Sequence, residues 1–278
     1  MRIERHTDVR TFFDRVEPFL TRNEAENNLQ LGFREPLERN PFIWGPEAPV
    51  LLAVVDGDEV VAVATRTPPY PLVLSFVHDL RAVGVLADEL RGEALPGLTA
   101  PVRAGEAFLE RWPAAATLEV AQRAYQATEV IPPPPPGGAA RTFTPEDSGL
   151  VAAWIDAFFA EAVPGESRGS GETWLARREG LPGGLLLWED GGQPVSFLAY
   201  GSPTPNGMRI GPVYTPPERR GHGYASALTA AATEHILASG KRFCFLFTDL
   251  ANPTSNSIYQ QVGYRPVTDV NLWRFAAA

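Results

Sequence analysis

The chain has 278 residues, of which 44% are hydrophobic and 21% charged, and its formal net charge is −9. This composition is typical of a globular protein with a sizeable core, and the length allows one large domain or two of ordinary size. The acidic balance argues against nucleic acid as a partner, because such proteins neutralise phosphates with an excess of Lys and Arg. A single cysteine, Cys244, and four scattered histidines predict neither a disulfide nor a metal site.

The start of the chain and its apolar runs predict a cytoplasmic protein without a membrane partner. The first ten residues, MRIERHTDVR, are charged and lack the apolar core of a signal peptide. The longest apolar runs, such as GGLLLW and PLVLSF, are too short to cross a bilayer.

Two segments of the chain share one pattern. Residues 50–69 and 184–203 each contain an apolar strand, an Asp-Gly turn, a second strand and an exit with proline. Asp-Gly is a favoured turn of β-hairpins, and Asp56 and Asp190 hold matching places in the two turns. The pattern predicts two related structural units.

A run of five prolines, Pro132 to Pro136, separates these units and is followed by Gly137 and Gly138. Consecutive prolines favour a stiff extended spacer, and glycines restore flexibility. We therefore predict a first domain at residues 1–130, a linker at 131–140 and a second domain at 141–278.

The second domain alternates between helical and strand patterns. Helical spacing covers residues 149–162, and the hairpin follows it. A strand at 208–215 then precedes a glycine-rich loop and a helix, which carries Leu228, Ala232 and Ile236 on one stripe and stops at Gly240. A second strand is expected at 242–248. A short helix at 254–262 and two closing strands within 263–275 complete the pattern. This order predicts an α/β fold with a mixed, mostly antiparallel sheet flanked by helices.

The glycine-rich loop lies in residues 218–228, ERRGHGYASAL. Free N–H groups and the positive end of the helix dipole make the start of a helix suitable for an anion such as phosphate. The loop lacks the Gly-Lys-Ser/Thr end of a Walker loop. In a Rossmann fingerprint the third small residue would fall at Ser226, and Pro216 and Pro217 interrupt the approach from the strand.

A different signature fits the loop better. Arg220, Gly223 and Ala225 match Arg/Gln-x-x-Gly-x-Gly/Ala, the acetyl-coenzyme A signature of the GNAT N-acetyltransferases, and residues 250–267 resemble the second coenzyme A motif of that family. The resemblance covers about residues 141–278. It implies an acyltransferase that moves an acetyl group from acetyl-coenzyme A to a primary amine by direct attack in a ternary complex. A non-catalytic coenzyme A-binding module is the alternative.

The first domain resembles a degenerate GNAT-like domain without a pyrophosphate loop. At the offset that relates the two hairpins, residues 86–90 stand opposite the glycine loop. They include Asp88 and Glu89, which would repel phosphate. We therefore expect acetyl-coenzyme A to bind only the second domain.

The resemblance also implies a set of contacts to acetyl-coenzyme A. The backbone of Val213 and Tyr214 would pair with the pantetheine arm, since Pro212 has no N–H to donate. The Tyr259 hydroxyl, neutral at working pH, would protonate the leaving thiolate. The residues expected at this site are Val213, Tyr214, Thr215, Arg219, Arg220, Gly221, His222, Gly223, Tyr224, Ala225, Ser226, Asn252, Ser255, Asn256 and Tyr259.

The general base and the acceptor are less defined by the sequence. The strand before the loop carries no carboxylate, so Glu161, Glu166, Glu189, Asp249 and bulk solvent are all open as proton acceptors. We expect a small-molecule or peptide amine to enter near Glu161, Glu166, Trp174 and Glu189, because carboxylates attract a cationic amine. For Arg219 and His222, ordinary exposed positions are an alternative to a role in binding.

Overall fold

The computed structural model describes residues 1–162 and 169–276 of the chain. These residues form two units with a similar order of strands and helices. The first unit contains Met1–Tyr125, Phe247–Asn252 and the residues from Pro266 onward, and the second contains Gln126–Leu246 and Pro253–Arg265. This division differs from the domain boundaries expected from the proline run. A division by contacts does not test boundaries along the sequence, so the boundaries at 1–130, 131–140 and 141–278 stay a prediction.

The elements up to residue 127 are β1 (Arg2–His6), α1 (Val9–Arg22), α2 (Asn28–Leu31), α3 (Arg34–Arg39), β2 (Val50–Asp56), β3 (Glu59–Arg66), β4 (Leu72–Leu74), α4 (Arg81–Glu89), β5 (Gly97–Pro101), α5 (Val102–Leu109) and β6 (Ala116–Ala127). The later elements are β7 (Ala139–Thr142), α6 (Ser148–Ala162), α7 (Gly171–Arg178), β8 (Gly183–Asp190), β9 (Gln193–Gly201), β10 (Gly207–Tyr214), α8 (Tyr224–Ala238), β11 (Phe243–Asp249), α9 (Pro253–Gln261) and β12 (Arg265–Phe275).

The sheet of the first unit has helices on both faces. Its strands follow the order β1-β2-β3-β4-β5-β12, with β4 and β5 parallel and the other neighbours antiparallel. Because side chains alternate along a strand, Leu51 and Val55 of β2 pack with α1, whereas Leu52 and Val54 pack with α4 and α5. The unit therefore buries an apolar layer on each side of the sheet.

The second unit repeats this arrangement. Its strands follow the order β7-β8-β9-β10-β11, with β10 and β11 parallel and the other neighbours antiparallel. Strands β8 to β11 thus correspond to β2 to β5. Gly57 and Gly191 follow the matching aspartates and are both left-handed, with φ of 60° and 57°. The predicted repeat and the predicted fold class are confirmed.

The helix predicted directly after the glycine loop is confirmed as α8. The predicted stripe of Leu228, Ala232 and Ile236 is fully buried, and the helix ends just before Gly240, which is left-handed with φ of 94°. Helix α6 is likewise found at the predicted place.

The matching of residues 86–90 with the glycine loop is wrong. In the first unit the helix that follows the third strand is α4, as α8 follows β10 in the second unit. The loop therefore corresponds to residues 75–80, which contain no glycine. Asp88 lies near the end of α4, where Arg91 and Arg111 pair with it at 2.8 and 2.7 Å. The offset between the units changes because β4 is five residues shorter than β10 and the loop that follows it is three residues shorter.

The last strand also departs from the sequence interpretation. Residues 265–275 form one strand, β12, instead of two closing strands of the second half, and β12 pairs with β5 of the first unit. Its aromatic side chains explain the choice of partner. Phe275 stacks on Trp112 at 5.2 Å between ring centroids, and Trp273 packs in the same apolar cluster. Burial of aromatic rings of this size is a strong driving force.

A substitution at Gly105 tests this packing. A β-carbon at Gly105 of α5 would lie 2.1 Å from two ring atoms of Trp273. Alanine normally favours a helix by about 0.5–1 kcal/mol over glycine. We expect Gly105→Ala instead to lower the free energy of unfolding in urea by about 1–3 kcal/mol, because the ring must move.

The control is Gly149→Ala in α6, where an added β-carbon meets no atom within 4 Å. This variant should be as stable as the wild type or more stable. Equal stabilisation by both variants would contradict the packing of β12 against α5.

Candidate functional site

The loop between β10 and α8 leads into a helix whose first backbone donors have no acceptor within the helix. Gly221 and Gly223 are left-handed, with φ of 80° and 84°, and Gly223 caps α8 without a side-chain hydrogen bond. The first helical bond runs from the Ala227 N–H to the Gly223 carbonyl at 3.0 Å. The N–H groups of Tyr224, Ala225 and Ser226 therefore have no acceptor within the helix. Such a cluster of donors at a helix start suits an anion.

Space is open in front of these donors. A β-carbon at Gly221 would meet nothing within 4 Å among the described residues, and one at Gly223 would meet only the Pro136 side chain at 4.0 Å. The proline run is held at both ends, by the Ile131 N–H on the Val262 carbonyl at 2.9 Å and by the Trp188 indole on the Gly137 carbonyl at 2.8 Å. A cradle of this kind fits a diphosphate that approaches the backbone closely.

Arg220 and Glu161 are brought together, although the sequence placed them on different sides of the site. The Arg220 guanidinium donates to both carboxylate oxygens of Glu161, at 2.8 and 3.0 Å, and to the Thr215 carbonyl at 2.9 Å. It also lies over the Tyr214 ring, 5.8 Å from its centroid. Glu161 is therefore the counter-ion of the loop arginine. Arg219 is exposed.

Tyr224 ties the start of α8 to the turn between β8 and β9. Its hydroxyl donates to Asp190 at 2.5 Å, and this hydrogen bond raises the pKa of Tyr224. The His222 ring stacks on the Tyr224 ring at 5.5 Å, and its Nδ1 lies 2.9 Å from the Arg220 carbonyl. A carbonyl can only accept, so Nδ1 carries the hydrogen. His222 thus supports the shape of the loop.

Strands β10 and β11 separate beside the loop. They pair only from Gly207 to Arg209, opposite Phe243 to Phe245, and the pairing of β10 with β9 shifts register between Ile210 and Val213. The stretch that leads to Tyr214 therefore has no β11 neighbour. On its other side, the Ser196 hydroxyl donates to the Tyr214 carbonyl at 3.0 Å and contacts the Thr215 hydroxyl at 2.9 Å.

Tyr259 lies in α9 with its ring edge-on to Tyr264, at 6.1 Å between centroids. Burial raises the pKa of Tyr259 to about 12, so its hydroxyl keeps the proton at neutral pH. Tyr264 is buried, and its hydroxyl shares a 2.7 Å hydrogen bond with Thr233. Burial also raises the pKa of Cys244 to about 12, which leaves this thiol unreactive.

The remaining predicted contacts lie around the start of α9. The helix begins at Pro253, whose fixed φ suits a first helical position. Asn252 precedes it and is exposed, while Ser255 and Asn256 lie in its first turn and are partly buried.

The four residues expected on the acceptor side do not form one group. Trp174 of α7 packs on the apolar cluster under α6. Glu189 pairs with Arg141 at 2.6 Å, and Arg141 also binds Asp147 at 2.7 Å, so Glu189 belongs to an ion-pair network beside β7. Glu161 pairs with Arg220, as described above. Glu166 lies outside the described residues.

Two basic residues, Arg178 and Arg209, escaped the sequence interpretation. Arg178 of α7 stacks on the Trp174 ring at 4.8 Å, and Arg209 occupies the third position of β10. The only signal was an arginine within the otherwise apolar run MRIGPVY. A cavity of about 380 Å³ in the first unit was also not foreseen. It lies beside the loop after β4 and the start of α5, and its lining includes Phe76, His78, Arg103 and Asp269.

Comparisons with known proteins agree with this geometry. Residues 150–264 match the family described as "Acetyltransferase (GNAT) family". No curated protein matches the chain. Residues 150–264 are thus similar to the GNAT acetyltransferases, and the chain carries an acyltransferase of the class that uses an acyl-coenzyme A.

Solved structures match the whole chain. A tandem GNAT protein from the clavulanic acid biosynthesis pathway has a TM-score of 0.64 and 15% identity, covering 100% of this chain and 99% of its own. A GCN5-related N-acetyltransferase from Sphaerobacter thermophilus has a TM-score of 0.59 and 20% identity, covering 98% and 95%. A GNAT-family acetyltransferase from Colwellia psychrerythraea has a TM-score of 0.59 and 11% identity, covering 99% and 100%. Both units therefore have the GNAT fold.

Residues 1–162 and 169–276 contain no helix with the length and apolar character that a membrane span needs. Over the same residues, no cluster of His, Cys, Asp and Glu side chains is arranged to hold a metal ion.

Proposed function

We propose that the second unit binds one acetyl-coenzyme A and transfers its acetyl group to a primary amine by direct attack in a ternary complex. The observation that carries this proposal is the open cradle at Gly221 and Gly223, with its row of N–H groups at the start of α8 that have no acceptor within the helix. It stands next to a strand that has separated from its parallel neighbour, within a domain of an acyltransferase family.

Each part of this site suits one part of acetyl-coenzyme A. The N–H groups of residues 221–226 would hold the pyrophosphate, aided by the field of α8. The free edge of β10 at Val213 and Tyr214 would pair with the amides of the pantetheine arm, as an added strand does. Residues at the start of α9 would border the nucleotide end; these are Asn252, Ser255 and Asn256.

Acetyl-coenzyme A supplies an acetyl group activated as a thioester. The amine nitrogen attacks the carbonyl carbon, the new C–N bond replaces the C–S bond, and the Tyr259 hydroxyl donates its proton to the departing sulfur. Tyr259 then regains a proton from water. A positioned donor of this kind contributes roughly 10²–10⁴-fold to the rate. Because the pKa of Tyr259 is raised to about 12, the proton is available throughout the neutral range.

The amine must also lose a proton, and we propose that water receives it. Glu161 is held by Arg220 and Glu189 by Arg141, at 2.8 and 2.6 Å. Each carboxylate already accepts hydrogen bonds from an arginine, so neither is free to face an incoming amine. The rate should therefore rise with pH towards the pKa of the amine. The competing function, a coenzyme A-binding module without catalysis, is distinguished by the absence of thiol release with any amine.

Gly223→Glu tests the cradle. We expect acetyl-coenzyme A binding, measured by calorimetry, to fall from one molecule per chain to none, because the carboxylate would occupy the phosphate site. The matched control is Gly240→Glu at the other end of α8. Both glycines are left-handed, with φ of 84° and 94°, so both variants carry similar backbone strain and the same added charge.

Gly240→Glu should keep its affinity within a few-fold of the wild type. Two bound molecules per wild-type chain, or unchanged affinity in Gly223→Glu, would show that the cradle is not the binding site.

Tyr259→Phe tests the proton donor. Turnover should fall by roughly 10²–10⁴ with little change in acetyl-coenzyme A affinity. The control is Tyr264→Phe, which removes a hydroxyl that is hydrogen-bonded to Thr233. Tyr264→Phe should cost about 1–3 kcal/mol of stability and leave turnover almost unchanged. Similar turnover in the wild type and Tyr259→Phe would assign Tyr259 to packing alone.

A further inference from the structure

Two arginines lie side by side on the face of the sheet that α6 and α7 cover. Arg209 of β10 is the register partner of Gly201 in β9. A β-carbon at Gly201 would lie 3.0 Å from Nη2 of Arg178, so the Arg178 side chain crosses directly over this position. Gly201 thereby makes room for one guanidinium beside the other.

Neither guanidinium has a carboxylate partner among the described residues. Arg178 donates to the Tyr200 carbonyl at 2.7 Å and stacks on Trp174 at 4.8 Å. Arg209 donates from Nη2 to the Ser202 hydroxyl at 3.0 Å, while its Nη1 is buried and has no acceptor. The pattern differs from the paired arginines of the same chain, such as Arg123 with Asp269 at 2.6 Å and Arg141 with Asp147 at 2.7 Å.

Two neighbouring positive charges in a poorly hydrated place are unfavourable. The pKa of each arginine is lowered to about 10, by burial in both cases and, for Arg209, also by the neighbouring charge of Arg178. Both groups are still charged at neutral pH, because a pKa of about 10 lies well above 7. An oxyanion between them would neutralise the charge and accept the free N–H of Arg209.

We propose that Arg178 and Arg209, with the Ser202 hydroxyl, form an oxyanion site that binds the acidic group of the acceptor. Guanidinium forks match carboxylate and phosphate oxygens equally well. Arg209 precedes Val213 by four residues on β10, which corresponds to roughly 13 Å along a strand. Because the register shift between Ile210 and Val213 shortens this stretch, the acceptor would carry its amine and its acidic group at most roughly 13 Å apart. This last step rests on the proposed function, whereas the anion site itself does not.

The site is tested without turnover by thermal unfolding of the full chain. At constant ionic strength set with chloride, inorganic phosphate or glutarate should raise the wild-type Tm by roughly 2–4 °C. Arg178→Gln and Arg209→Gln should lose this rise. The matched control is Arg177→Gln, which removes the same charge from the adjacent position of α7 and should keep it.

Phosphate could also bind the glycine loop, and Gly223→Glu separates the two sites. A rise in Tm that survives Gly223→Glu and is lost in Arg209→Gln supports the arginine site. A rise that is lost only in Gly223→Glu, or no rise in the wild type with either anion, overturns it while leaving the proposed function intact.

Arg209→Met gives an independent readout in buffer without oxyanions. If the two guanidinium charges repel each other when no anion is bound, removing one of them should raise the Tm. A lower Tm that Arg209→Lys restores would instead identify Arg209 as a structural residue and overturn the proposal.

The acceptor is tested with ω-amino acids of increasing length and the corresponding ω-amino amides. The acids should have kcat/KM values roughly 10–100-fold higher than the amides, as expected for one charge-assisted interaction. The preference should disappear in Arg178→Gln and persist in Arg177→Gln. Equal rates for acids and amides would overturn the assignment to the acceptor. Absence of acetylation with every amine would count against the proposed function, and the Tm measurements would still decide the anion site.

Discussion

The separation of β10 from β11 after Arg209 is the constraint on which the candidate site depends. Two parallel strands that stay paired would leave no backbone edge for a ligand, and the loop that follows would open onto a closed sheet. Here the parallel pairing covers only three residue pairs, and the register shift between Ile210 and Val213 turns the strand away. The freed edge runs directly towards Gly221 and Gly223. The short pairing of β10 with β11 therefore determines both the free strand edge, where an extended ligand could pair, and the direction in which the glycine loop faces.

Charge is distributed around this site in two different ways. Next to the cradle, Arg220 is balanced by Glu161, so an incoming phosphate would exchange one partner of the arginine for another. On the α6 and α7 face, Arg178 and Arg209 have no carboxylate among the described residues, so an anion there would add a missing partner. The pair of Arg220 and Glu161 is neutral before any ligand binds. Arg178 and Arg209 together carry two positive charges that no carboxylate of the described residues balances. The net charge of −9 for the whole chain therefore does not indicate the local charge at either place.

The sequence predicted correctly those features that depend on residues close together along the chain. The Asp-Gly turns, the stripe of α8 and the glycine loop depend on neighbours in sequence, and the structure has all three. Pairings between distant residues carried no such signal: the contact of Arg220 with Glu161 joins a loop to the end of a helix, and Glu189 is taken by Arg141 from the adjacent strand. Arg209 was visible as a charge in an apolar strand, but its meaning depends on the register that sets it opposite Gly201.

Strand β12 has a consequence for how the chain is made. The first unit contains the amino-terminal residues, yet its sheet order β1-β2-β3-β4-β5-β12 includes residues 265–275. During synthesis, more than half of the chain must be translated between β5 and β12. For that time β5 would have one unpaired edge, and the place beside Gly105 that the Trp273 ring fills would be empty. Exposed strand edges invite pairing with other chains. The second unit is therefore complete before the first, and a truncation near residue 260 would damage the first unit although the lost residues lie at the far end of the chain.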